Sequence, residues 1–416
     1  MPDNPHYDDQ ETRAAEAREA TLFEALRARL AQAKAKAPYY REVLSDIDPA
    51  GITDRAALAK LPVTRKSELV DRQAPGHTLG GLTTVPDGRL RHIYQSPGPT
   101  YDADGQGADW WRMARGLYAA GMRGGDVLHN TFSYHLTPAG LMVDSGAQAI
   151  GCAVVPAGVG NTELQVRAIE HIRPTAYCGT PSFLKVLLDK AAETGADVSS
   201  LAKAAVGGEP FLPDQRAACD AAGIDAYNIY ASADVGLIAY ESTAREGLIL
   251  EEGLILEIVT PGTGDPVAPG QVGEVLLTTP FNADYPLIRF ATGDMSAVMA
   301  GTSPCGRTNT RIKGWMGRAD QAAKVKGMFI HPRQIADIVK RHPEIARARM
   351  VVTRKGAADV MTLMCETAPP APDTLAATVA ETIQATCKLK GGVEFVAPGS
   401  LPNDGKVIDD RRGAGG

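Results

Sequence analysis

Between residues 92 and 280 short apolar runs alternate with stretches of helical periodicity. The runs are Val127–Asn130, Cys152–Val155, Thr175–Cys178, Ala204–Val206 and Ala226–Tyr230, and helices of about ten to fifteen residues separate them. A connection of that length is what two parallel strands require, and it covers the sheet it crosses. The pattern therefore predicts an α/β fold built on a mostly parallel sheet with helices. From 248 to 298 the texture changes to β runs punctuated by Gly and Pro, at Leu254–Val259, Glu274–Thr279 and Leu287–Phe290. That predicts a small β-barrel-like or antiparallel region. The segment Gly317-Arg-Ala-Asp320 precedes a tail of alternating helical and strand patterns, which reads as a separate small α+β domain. The expected division is a large N-terminal domain over 1–319 and a small C-terminal domain over 320–416.

The N-terminal stretch 10–45 reads as helix, with Leu22, Leu26, Leu30 and then Tyr39–Tyr40 on one apolar face. Thr53 to Leu61 reads as a short capped helix stopped by Pro62, and Thr64-Arg-Lys-Ser-Glu-Leu follows. A chain of 416 residues is too long for one compact domain. Its net charge of −6 provides no basic face, so nucleic acid and anionic membranes are not expected partners. The opening Met1–Ala20 has no apolar core, which argues against a signal peptide. No apolar stretch is long enough to span a bilayer. Six cysteines lie scattered, with no Cys-x-x-Cys pair. That distribution suits reduced, buried thiols in a cytoplasmic protein.

The chemistry-bearing residues fall in separate segments. A β-prone run ending at Tyr230 leads through Ala231-Ser-Ala to Asp234 and then into a second apolar run. A carboxylate at such a strand end is placed to hold Mg²⁺ against a nucleotide phosphate. After His92–Tyr94 comes Ser96-Pro-Gly-Pro-Thr-Tyr-Asp102. Thr131-Phe-Ser-Tyr-His supplies Phe132, Tyr134 and His135, and Gly207-Gly-Glu-Pro210 follows an apolar run. Arg289-Phe-Ala-Thr-Gly-Asp294 ends in a carboxylate on a turn, which can accept two ribose hydroxyls. A Gly-Lys pair at Gly405–Lys406 lies near the C-terminus.

In this collinear order the segments resemble those of the adenylate-forming enzymes, the acyl-CoA synthetase superfamily, and most closely its phenylacetate–CoA ligase branch. The resemblance runs from about residue 20 to 410, and its most extended part is Gly314 to Ile335. It implies an enzyme that binds ATP, forms acyl-AMP from a carboxylic acid, aromatic by the branch resembled, and transfers the acyl group to CoA. It implies nucleotide contacts at Ser96, Gly98, Thr100, Gly208, Glu209, Pro210, Tyr230, Asp294 and Arg318, with Gly327 lining the CoA path. It also implies an acyl pocket at Phe132, Tyr134 and His135, Mg²⁺ on Asp234, and catalytic roles for Asp234, Arg318 and a swinging Lys406. Asp320 would be the hinge of a mobile C-terminal domain.

The chain departs from that pattern in three places. Ala233 and Asp234 stand where the family has threonine and glutamate. In the phosphate loop two prolines remove N–H donors, Tyr101 replaces a glycine, and Asp102 replaces a lysine. A negative Asp102 would repel a triphosphate by about a kcal/mol or more. Of the Cys/His set with which some relatives hold zinc, only Cys305 persists, and one thiol makes no tetrahedral site, so no zinc is expected. The residues leave open whether the acceptor is CoA, a carrier protein or an amine. They also leave open a degenerate adenylate-binding protein with little ligase activity, and whether the chain forms a homodimer.

Overall fold

The computed structural model describes residues 4–96, 100–319, 323–325, 328–330, 332–355, 358–369, 374–402 and 406–412. The chain divides into two compact units, one of Met1–Thr292 with Ser296–Met316, the other of Gly293–Met295 with Gly317–Gly416.

The first unit holds a nine-stranded sheet. One half is parallel and runs in the spatial order Ala153–Pro156, Val127–Asn130, Ala176–Gly179, Lys203–Gly207 and Asp225–Ser232. The other half is antiparallel and continues through Gly236–Tyr240, Leu248–Leu250, Arg311–Ile312 and Val298–Met299. Helices cover both faces of the parallel half. Met113, Leu117, Met142 and Val143 pack on Leu128, Ala176 and Ala205. Val166, Ile169, Leu184 and Leu187 pack on Tyr177, Ala204 and Val206. This double covering is why the strands read as continuous apolar runs rather than alternating ones.

Helix boundaries follow local chemistry. Pro181–Thr194 begins at Thr180, whose hydroxyl accepts from Phe183 N at 3.3 Å, has Pro181 in its first turn, and ends at left-handed Gly195. The first helix after residue 104 is Met113–Ala119. Its start is fixed by Asp109, whose two carboxylate oxygens accept from Met113 N and Ala114 N at 2.9 Å each. The helix expected over 10–45 is a short 3-10 turn followed by Ala15–Lys36 and Pro38–Val43. Pro38 supplies no N–H and cannot continue the first helix, so it opens the second.

The small β region takes the form of a four-stranded sheet in the order Thr64–Arg65, Phe290–Ser296, Gly273–Thr278 and Ile255–Val259. Leu22, Leu26 and Leu30 of the first long helix share a core with Ile255, Leu277, Leu287 and Phe290. The strand Thr64–Arg65 lies parallel to Phe290–Ala291. It delivers Lys66 to the first position of the helix Lys66–Arg72.

The second unit has a four-stranded sheet in the order Gly392–Val396, Ala358–Thr367, Ile345–Lys355 and Ile408–Asp410. The helices Pro332–Arg341 and Leu375–Cys387 share its core, with Ile335, Ile338, Val379 and Ile383 on Met350, Val352 and Leu363. A short hairpin pairs Ala323–Val325 with Met328–Ile330. No helix among the described residues is long and apolar enough to cross a membrane.

Candidate active site

The segment 92–104 is a β-hairpin. His92–Ser96 pairs antiparallel with Thr100–Asp104, and Ser96 stands opposite Thr100. Side chains alternate along a strand, so Tyr94, Ser96, Thr100, Asp102 and Asp104 share one face, and all are buried. On the outer edge, Gln73 clamps the hairpin through both amide atoms: Nε2 donates to Tyr101 O at 2.7 Å and Oε1 accepts from Tyr101 N at 2.8 Å. Towards the base of the hairpin, Asp104 accepts from the Tyr94 hydroxyl at 3.1 Å and meets His92 Nδ1 at 3.1 Å.

Asp234 meets this face from the turn between Asp225–Ser232 and Gly236–Tyr240. A bulge at Tyr230/Ala231 breaks the register just before the turn, a device that re-aims side chains beside sites. Ser232 Oγ accepts from Val235 N at 3.2 Å. Arg112 donates to Val235 O and, at 2.8 Å, to Asn282 Oδ1. Asp234 is 4% exposed and accepts from Lys66 Nζ at 2.8 Å. It also shares a side-chain hydrogen bond with Asp102, whose other contact is the Ser96 hydroxyl.

Burial first, and then the Asp234 charge, push the Asp102 carboxyl up to about 8, against the opposing pull of Lys66 and Ser96. The Asp102 carboxyl is thereby biased towards its neutral form, which weakens the repulsive charge expected there. Tyr285 lies beside them. Burial, followed by the charges of Asp102 and Asp234, raises its hydroxyl well above the ordinary range. In the sequence Lys66 is one residue of the segment after Pro62. Nothing in its local pattern distinguishes it from a surface lysine, and only the pairing of Thr64–Arg65 with Phe290–Ala291 carries it to Asp234.

The Gly207-Gly-Glu-Pro turn closes the strand Lys203–Gly207. A Cβ on Gly207 would sit 2.5 Å from Ile229 O, so the neighbouring strand requires glycine there. Gly208 has a φ of +81°, which favours glycine for a different reason. Phe132 adjoins this turn, its Cε1 lying 3.5 Å from where a Gly208 Cβ would be. Glu209 turns away to accept from Ser182 N at 2.7 Å, which ties the turn to the start of the helix Pro181–Thr194. Gly208 and Pro210 are exposed. Tyr134 accepts from Asn130 Nδ2 at 2.7 Å and packs against Gly140, while His135 is exposed. Of the three residues expected in the acyl pocket, Phe132 is the one placed against the glycine turn. Tyr230 is buried in the core with Val235 and Ala239.

In the second unit Asp294 accepts from Arg318 Nη1 at 3.2 Å. The backbone reinforces this contact, with Met295 N donating to Gly317 O at 2.9 Å and Ala319 N to Gly293 O at 2.6 Å. Arg289, next to this motif in sequence, is fully buried and directed elsewhere. It forms a bidentate pair with Glu257 and donates to Leu61 O and Gly264 O. Lys406 is exposed. Gly98, Asp320 and Gly327 lie outside the described residues.

Cys305 Sγ lies 3.1 Å from the Ser303 hydroxyl. Burial would raise its pKa, but hydrogen bonds with Ser242, Ser303 and Arg307 together lower it. Among the described residues no group of three or more His, Cys, Asp or Glu side chains is set to hold a metal ion.

The family models agree with this architecture. That for the AMP-binding enzymes matches residues 113–284, and that for the AMP-binding enzyme C-terminal domain matches residues 327–411. The chain belongs to the AMP-binding enzyme family, the adenylate-forming superfamily of acyl-CoA synthetases. Within it the chain falls in the branch of the phenylacetate–coenzyme A ligases. It is 32% identical over 377 residues to the phenylacetate–coenzyme A ligase of Thermus thermophilus, covering 86% of this chain and 84% of that one. It is 31% identical over 369 residues to that of Aromatoleum evansii, covering 85% and 82%. A crystal structure of 2-hydroxyisobutyryl-CoA ligase with 2-HIB-AMP and CoA superposes with a TM-score of 0.75 at 24% identity, over 100% of this chain and 94% of that one. The fold is therefore shared along the whole length.

Proposed function

We propose that this chain is an AMP-forming acid–thiol ligase: it activates a carboxylic acid with ATP and transfers the acyl group to CoA. One observation carries the reading. Ser96 and Thr100 from a hairpin, Asp234 from a strand-end turn and Lys66 from a helix start meet on one buried face, although the sequence separates them widely. Hydroxyls, a carboxylate and a lysine are the groups that position and neutralise a transferring phosphoryl group.

In the first half-reaction the acid's carboxylate oxygen attacks the α-phosphorus of ATP, the bond to the β-phosphate oxygen breaks, and acyl-AMP and pyrophosphate form. In the second, a thiolate attacks the acyl carbon and AMP leaves. The residues mainly hold the reacting groups in line and stabilise charge. Ser96 and Thr100, with Gly98 between them in sequence, hold phosphate oxygens. Gly208, Glu209 and Pro210 present the turn backbone to the adenine, with Tyr230 nearby in the motif order. Asp294 takes the ribose hydroxyls, with Arg318 on ribose or phosphate. The acid sits by Phe132, with Tyr134 behind it. His135, exposed at the surface, is the third residue assigned to the acid. Mg²⁺, when bound on Asp234, supplies charge neutralisation at the phosphates. Domains 1–319 and 320–416 divide the work. Lys406 neutralises charge in adenylation, Asp320 is the hinge, and Gly327 lines the path of CoA. The names of the relatives favour an arylacetic acid as the substrate.

Pyrophosphate release from ATP and Mg²⁺, measured across aryl, arylacetic and short aliphatic acids with and without CoA, tests the proposal. Release with arylacetic acids that rises with CoA is expected. Release indifferent to CoA points to a carrier protein or an amine as acceptor. No release with any acid, while AMP still binds, reduces the chain to an adenylate-binding protein.

A further inference from the structure

The inference rests on the reading above, in which the hairpin face and Asp234 meet the phosphates. Four oxygen-bearing side chains converge there, and each is almost wholly buried: Ser96 at 5%, Thr100 at 2%, Asp102 at 1% and Asp234 at 4% exposure. Asp102 and Asp234 are in hydrogen-bond contact with each other, Lys66 donates to Asp234, and two carboxyl groups carry more acceptor capacity than these contacts use. Of these four, Thr100 has a buried hydroxyl with no hydrogen-bond partner among the described residues, and so does Tyr285 beside them. Buried polar atoms left this way normally mark a group that completes them. The donors are all hard oxygens. That set does not suit zinc, but it does suit Mg²⁺, which takes one or two carboxylates and fills the rest of its shell with water and substrate phosphate.

We propose that Asp102 is, together with Asp234, a ligand of the divalent cation, and that the Ser96 and Thr100 hydroxyls complete the oxygen set. Asp102 occupies the place where the resembled phosphate loop has a lysine. A lysine there would meet the phosphates directly, whereas this carboxylate meets them through the cation. Lys66 donates to Asp234 and so competes with the cation for it.

The test is a titration of the full chain with Mn²⁺ in the absence of nucleotide, read by the electron paramagnetic resonance of the free ion. Asp102→Asn and Asp234→Asn should each weaken Mn²⁺ binding by about 10- to 100-fold, and Lys66→Gln should tighten it. Asp104→Asn, on the same hairpin but bonded to His92 and Tyr94, should leave it unchanged. Near-ultraviolet circular dichroism checks that each variant keeps its fold. Equal affinity in wild type and Asp102→Asn, or no Mn²⁺ binding by the wild type, overturns the inference. Acid-dependent pyrophosphate–ATP exchange separates this outcome from failure of the ligase reading. Exchange that proceeds while Asp102→Asn binds Mn²⁺ normally removes only the cation assignment. Exchange absent with every acid, while Mn²⁺ binding still depends on Asp102, removes the ligase and leaves the cation site.

Discussion

Two buried ion-pair clusters of the first unit begin alike and end differently. At Arg289 the guanidinium forms a bidentate pair with Glu257, and Leu61 O and Gly264 O take its remaining donors. At Lys66 one ammonium faces two carboxyl groups, with unpartnered hydroxyls of Thr100 and Tyr285 close by. The first cluster is complete within the protein and ties the strand Phe290–Ser296 to the segment before Lys66. The second leaves the hydroxyls of Thr100 and Tyr285 without a protein partner among the described residues. A closed polar network holds a fold together, and an open one at the same depth is where a ligand belongs.

If that distinction is right, breaking each cluster damages a different property. Arg289→Met strands the Glu257 carboxylate in the core and should cost about 3 to 5 kcal/mol of stability, measured by denaturant unfolding. A loss below about 1 kcal/mol would mean that the Arg289 cluster is no more structural than a surface pair. Gly207→Ala probes the packing of the glycine turn on the strand Asp225–Ser232. Its methyl group would meet Ile229 O and should cost about 1 to 3 kcal/mol. Glu209→Ala should cost about 1 kcal/mol through loss of the contact with Ser182 N. If it removes AMP binding at unchanged stability, Glu209 belongs with the open cluster instead.

The smallest effect concerns pH. Burial of Asp8 would push its carboxyl up, but hydrogen bonding to Arg115 and the charge of that guanidinium outweigh it and hold the group below the ordinary range. A depressed native pKa stabilises the fold above the unfolded value of about 3.9, and that contribution is lost as pH falls through the native value. Asp8→Asn should therefore flatten the acid limb of the stability profile and leave stability near pH 7 lower by a constant amount. An unchanged acid limb would show that the Asp8–Arg115 pair is screened.

The architecture was legible because the parallel half of the sheet is buried on both faces, so Val127–Asn130 and Ala226–Tyr230 announce themselves as apolar runs. The long α-helix was legible too, but its end at Ala37 depended on how Pro38 would act. The hairpin 92–104 was not legible. Its second strand, Thr-Tyr-Asp-Ala-Asp, carries carboxylates on the face that turns inward, which reads as solvent-facing until Asp234 and Lys66 are placed against it. The same holds for Arg289. As part of a motif with Asp294 it invites a ligand role, yet its backbone φ of +45° and its buried partners turn it into the core. Sequence order located the segments, and the tertiary pairing of Thr64–Arg65 with Phe290–Ala291 decided which side chains meet.

The comparison is tested most directly by pyrophosphate–ATP exchange with Mg²⁺ at neutral pH in wild type and Asp234→Asn, alongside their thermal unfolding. In Asp234→Asn exchange should fall by about 10²- to 10³-fold while the unfolding midpoint hardly moves. Undiminished exchange in Asp234→Asn, or a loss of exchange that only tracks a loss of folded protein, would contradict it.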